Sequence, residues 1–176
     1  FGKRSARGDQ PFEVELAGRL SDRWEVFSGL ALMDAKIIKR AVNVNATTGA
    51  LTYADPRIEG ERARNAPVYT FNLWSTYKLT GNWKIGGGVE AKGKRFGYQP
   101  QQAVSGAFVN GQFTPNTAEA YQRWDAMVAY EENRWAVRLN IKNVFDKLYW
   151  DSIYDNGGFT VPRTRRAAIL TGELKF

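Results

Sequence analysis

The chain of 176 residues contains no histidine and no cysteine. Serine–histidine and cysteine–histidine nucleophiles, disulfides, most zinc sites and a histidine pH switch are therefore excluded. Chemistry falls to carboxylates, Lys, Arg, Tyr and Trp. Cations and aromatics gather in three stretches: Arg57, Arg62 and Arg64; then Lys92, Lys94, Arg95, Tyr98 and Gln99; then Trp150 and Tyr154. Arg and Lys attract an anion, and Trp and Tyr stack on a ring. The set suits an anionic ligand bearing rings; it also suits lipid phosphates or plain solvation. No carboxylate pair stands out as an acid–base couple, and the chain is read as a non-enzyme. Asn143 and Asp146 are read as residues that end a strand and orient the following loop. Gly86-Gly87-Gly88 lacks the lysine that follows a phosphate loop and lies inside a strand, where glycine permits close approach of backbones.

The elements that hold these residues are strands. Phe12, Val14, Leu16 and Leu20 alternate with Glu13, Glu15 and Arg19. Tyr69, Phe71, Leu73, Tyr77 and Leu79 oppose Thr70, Asn72, Thr76 and Lys78, and Trp135, Val137, Leu139 and Ile141 oppose Arg138, Asn140 and Lys142. A period of two with one apolar and one polar face is the strand signature. Seven strands follow, over about 9–20, 24–39, 66–79, 83–97, 120–130, 135–147 and 165–176. The second alternates least cleanly, since Phe27 and Met33 fall off its apolar face. Tight connections alternate with long ones at about 40–65, 98–119 and 148–164, which describes an all-β, antiparallel, up-and-down meander. Residues 106–114 read as a short hairpin on Asn110-Gly111 decorating the second long loop.

Each tight turn is followed by tryptophan: Trp24, Trp83 and Trp135. A ring of indoles at one level is what a membrane interface selects, because the ring is apolar and its N–H polar. The plainer reading is that these residues plug the end of a soluble barrel. Strand length favours the membrane, since a tilted crossing needs about 9–11 residues. No run of about 18 apolar residues exists for a transmembrane helix, and Phe1 to Arg7 lacks the apolar core of a signal peptide. The formal charge of +7 fits an acidic ligand, an anionic lipid surface or nucleic acid. No RNA-binding motif accompanies it, the basic residues are scattered, and nucleic acid is not expected.

Leu139-Asn140-Ile141-Lys142-Asn143-Val144-Phe145-Asp146-Lys147-Leu148-Tyr149 resembles the L-N-V-x-N-L-F-D-K-x-Y segment of TonB-dependent outer-membrane receptors. Ala66-Pro67-Val68-Tyr69-Thr70-Phe71-Asn72-Leu73-Trp74-Ser75-Thr76-Tyr77 resembles the A-P…L-W-x-x-Y strand of siderophore receptors, and Phe12 to Gly18 resembles their G-x-E-x-E-x-x-G strand, with the leading glycine displaced to Gly8. Leu174-Lys175-Phe176 resembles the family's closing strand.

The resemblance implies a barrel of about 22 strands around an N-terminal plug. Residues 1–176 would be its C-terminal part, in the outer membrane of a Gram-negative cell, without the plug. It implies a ferric siderophore as ligand, catecholate-type by the Tyr154 to Phe159 segment. Arg57, Arg64, Arg95, Tyr98, Gln99, Trp150 and Tyr154 would face that ligand from extracellular loops. It implies no cofactor of the protein's own, iron arriving only within the siderophore. The implied partners are the TonB-ExbB-ExbD energy-coupling complex, outer-membrane lipid and the barrel assembly machinery, with Phe176 as assembly signal. A fragment of this kind is not expected to transport alone. A small stand-alone barrel that binds an acidic ligand is the alternative.

Overall fold

The computed structural model describes residues 7–8, 11–38, 42–53, 60, 62–97, 106–109, 112–154 and 159–175. Arg57, Tyr98, Gln99, Phe176 and the Asn110-Gly111 turn lie outside them. No helix occurs among the described residues. Seven long strands form one antiparallel sheet: β1 Phe12–Ser21, β2 Trp24–Leu32, β3 Tyr69–Lys78, β4 Trp83–Lys92, β5 Tyr121–Glu131, β6 Trp135–Lys142 and β7 Ala167–Leu174. Each pairs with its neighbour in sequence, so the meander is simple, and β1 and β7 each have one partner.

The register sorts the side chains. One row across the sheet runs Leu16, Ser28, Leu73, Val89, Trp124. The adjacent row runs Glu15, Gly29, Asn72, Glu90, Arg123. The pleat alternates these rows, and every strand charge from Glu13 to Glu173 named in the pairing falls on the second face. Several less polar side chains share that face. Phe27, the off-pattern residue of β2, pairs with Trp74, and both stand on the charged face. The indole of Trp74 lies over Gly88, where an added Cβ would be 2.5 Å from Trp74 Cε3 and 2.3 Å from the Leu73 carbonyl oxygen.

Three strands end earlier than the alternation suggests. β2 stops at Leu32, because Lys36–Ile37 is a separate short strand paired with Arg7–Gly8. β4 stops at Lys92, where Gly93 and Lys94 break the ladder before Arg95–Gly97. β6 stops at Lys142 because Asn143 and Asp146 adopt positive φ of 53° and 51°, a region a strand cannot continue through. The expected hairpin is present as Gly106–Val109 against Gln112–Ala118, which extends it to Arg95–Gly97.

A single sheet has no second layer, and its apolar face stays open to the surroundings. Leu170 and Leu174 are each 71% exposed. Of the most enclosed apolar side chains, Ala63, Ala118 and Ile153 lie at the end where the long connections emerge, and Ala129 lies within the sheet.

Candidate functional site

At the end of the tight turns, Trp24 pairs with Tyr77 and Trp83 with Tyr130, all on the apolar face. Tyr130 lies edge-on to Trp83 at 5.0 Å and stacks on Trp135 at 5.4 Å. Trp24 Nε1 donates to Ser75 Oγ at 2.7 Å. The three tryptophans thus stand at one level, in a band with two tyrosines.

The charged face carries a connected network toward the opposite end. Tyr121 Oη donates to Glu90 at 2.6 Å. Arg123 holds Glu90 at 3.0 Å and grips Asp125 with Nε and Nη2 at 3.1 and 2.9 Å. A separate cluster stands beside the tight turns, where Glu25 holds Arg19 at 3.2 Å and Lys84 at 3.8 Å. Beside the network, Phe27, Trp74, Gly88, Glu90, Arg123 and Asp125 border a hollow of about 440 Å³. Arg19, Lys84 and Arg123 thus each have a carboxylate within reach.

Above the strands the expected ligand cations are largely committed. Lys92 and Arg163 both hold Asp151, at 3.4 and 3.1 Å. Burial alone would raise the Asp151 carboxyl; Arg163 and Lys92 outweigh it and hold it below its usual range. Lys94 holds Glu119 at 2.9 Å, and Arg62 lies 3.9 Å from Asp34. Arg95, expected on a loop surface, is 1% exposed. Its Nη2 donates to the carbonyls of Trp150 and Glu119, and its guanidinium lies over the Tyr121 ring at 5.4 Å. Burial pushes it below the ordinary arginine value, with Tyr121 and Asp151 opposing. It is enclosed among the roots of the loops, paired with Ala118 outside the seven-stranded sheet. Arg64 and Trp150 are half-buried in the loop roots, and Tyr154 is exposed and stacked on Phe159 at 4.5 Å.

Asn143 and Asp146 act as strand-end residues, as their types suggest. Asn143 is 2% exposed. Its Nδ2 donates to Lys147 O at 2.8 Å, its Oδ1 accepts from Lys147 N at 3.1 Å, and its own N–H donates to Asp125. Asp146 accepts from Arg165 Nε and Nη2, both at 3.0 Å, and from Arg166 N at 2.8 Å. The Arg165 side chain, then the Arg166 amide, hold its carboxyl well below the usual range. A depressed carboxyl stabilises the fold above its unfolded pKa of about 3.9 and loses that contribution as pH falls through the lower folded value. The Arg166 amide is therefore expected to keep its exchange protection down to pH about 4 and to lose it only in stronger acid. Asp146→Ala, which leaves no acceptor, removes that protection at every pH; equal protection in both proteins would refute the assignment.

Sequence reasoning missed Asn65, Tyr121, Tyr149, Ile153 and Arg163, which knit the long-loop end together. Asn65 alone left a local signal: it precedes Ala66-Pro67, and asparagine tolerates the positive φ of 54° found there.

The sequence matches the family profile "TonB dependent receptor-like, beta-barrel" over residues 12–144. It is 31% identical over 165 residues to "Probable TonB-dependent receptor BfrD" of Bordetella pertussis, covering 93% of this chain and 20% of that protein. It is 27% identical over 177 residues to the catecholate siderophore receptor Fiu of Escherichia coli K12, covering 100% of this chain and 20% of Fiu. The crystal structure of Fiu in its closed form superposes with a TM-score of 0.70 at 26% identity, over 97% of this chain and 21% of that one. That of PiuA from Acinetobacter baumannii gives a TM-score of 0.73 at 24% identity, over 94% and 21%, a likeness of fold. The chain spans about one fifth of the length of these relatives.

Proposed function

Since this chain belongs to the TonB-dependent receptor β-barrel family of the outer membrane, we propose that it is a wall segment of a receptor that takes up a ferric siderophore of the catecholate class. One observation carries the reading: a single sheet with an apolar face, a charged face and the loops of one end folded together. An antiparallel wall of that kind meets lipid outside and water within, with its backbone paired by neighbouring strands. In this reading Trp24, Trp83 and Trp135 form the periplasmic interfacial girdle. The charged network lines the lumen, and Arg57, Arg64, Tyr98, Gln99, Trp150 and Tyr154 face the ligand. Iron enters as cargo within the siderophore. Energy comes through the TonB-ExbB-ExbD complex acting on the whole receptor, and Phe176 addresses the barrel assembly machinery. A small stand-alone barrel would close β1 on β7, and these strands do not pair.

The test is uptake of radioactive iron as a ferric catecholate by cells lacking their own siderophore receptors and expressing the full-length receptor that carries this segment. Uptake that disappears in a TonB-deficient strain supports the reading. A surface-assembled receptor that takes up no ferric catecholate overturns it.

A further inference from the structure

We propose that Asn65 is a positioning residue for ligand capture, one residue that ties the first long loop to the second through its backbone and to the third through its side chain. The inference rests on the receptor reading above. The loops leave the sheet after β2, β4 and β6, and contacts among them converge on Asn65. Its backbone N–H donates to Phe96 O at 3.0 Å, in the second loop. Its side-chain Oδ1 accepts from Ile153 N at 2.9 Å, and its Nδ2 donates to Ile153 O, in the third loop. The amide thus makes both bonds that a neighbouring strand would make to Ile153, across 88 residues of sequence.

The packing beneath confirms that this is a joint rather than a surface contact. Ile153 and Ala63 are 1% exposed and Ala118 is 0% exposed. Gly97 is packed so closely that an added Cβ would lie 2.6 Å from Ile153 Cγ1. Arg95 ties the second loop to the third through Trp150 O, and Ala63 N donates to Ala35 O within the first. The third loop also carries Trp150 and Tyr154, so the joint sets where those rings stand relative to Arg64.

Only asparagine satisfies the site locally. It offers a donor and an acceptor on one short planar group and tolerates positive φ. Aspartate retains the acceptor for Ile153 N and loses the donor. Glycine retains the backbone geometry and loses the amide. A rim held in its binding shape spares the ordering that a loose one undergoes on capture. Loss of the joint therefore weakens capture and leaves translocation unchanged.

The experiment uses the full-length receptor with ferric dihydroxybenzoate as probe. Asn65→Gly is expected to raise the apparent KM of uptake about tenfold, with Vmax, surface amount and heat-modifiable mobility unchanged. Asn65→Asp is expected to fall between this variant and the parent. The first and third loops should become more sensitive to protease together. A folded Asn65→Gly receptor with the parent's KM overturns the proposal. So does a variant whose Vmax falls with surface amount at unchanged KM, which marks a merely structural role. Hydrogen exchange on the unaltered receptor gives a reading that needs no variant: the Ile153 amide should be protected like the amides of β5, and an unprotected one refutes the joint. If the parent takes up no ferric catecholate, the receptor reading fails, while exchange and proteolysis still report on the joint.

Discussion

Leu73→Arg is expected to abolish assembly of the receptor in the outer membrane, while Asn72→Arg, one residue away, assembles normally. Leu73 lies in the middle of β3, in the row Leu16, Ser28, Leu73, Val89, Trp124 on the apolar face. An arginine on the lipid face near the bilayer midplane costs about 2–4 kcal/mol, a shift of roughly 30- to 1000-fold in the folding equilibrium. Asn72 lies on the other face, directly opposite Glu90 and Gly29. A cation there gains a carboxylate and meets no lipid. Heat-modifiable electrophoresis of outer-membrane fractions distinguishes the two. Equal assembly of both variants would sink the assignment of faces, and with it the membrane reading of the sheet.

Gly88→Ala should also be severe, for a steric reason. The new methyl would stand 2.3 Å from Leu73 O and 2.5 Å from Trp74 Cε3. The ring can turn away; the carbonyl belongs to the β3–β4 ladder and cannot. Overpacking of this kind costs about 1–3 kcal/mol. Trp74→Ala in the same chain should recover only part of the loss, because the carbonyl contact remains. Gly87→Ala is the internal control: its nearest neighbour, Asp125 O, would be 3.6 Å away, an ordinary contact. A urea midpoint for Gly88→Ala no lower than that for Gly87→Ala would contradict the packing described.

Strand existence, face and order were legible because a period of two is a local property, repeated seven times with turns between. The aromatic band was legible for the same reason, each tryptophan standing at a fixed place after a turn. Strand ends were less so. The alternation of β6 runs on past Lys142, and the chain leaves the sheet because Asn143 turns to positive φ and is held there by Lys147. The loop end was the least legible. Arg95 looks like a ligand cation by composition, since a charge beside aromatics in a long connection normally points to water. Its burial depends on Trp150, Glu119 and Tyr121, which arrive from far along the chain. Asn65 and Ile153 meet across a separation that no window of periodicity spans.

The antiparallel order has a directional consequence. Six reversals separate β1 from β7, so the two edge strands point the same way across the bilayer. Whatever arc completes the ring must present strands of the opposite sense at both seams, and so must contain an odd number of them. Two copies of this segment inserted the same way up would offer each other parallel edges, and duplication of the unit cannot replace the missing arc. Lengths of such walls change by whole hairpins: removing one strand would invert every turn beyond it, carrying the tryptophan band to the outer leaflet and the ligand loops to the periplasm.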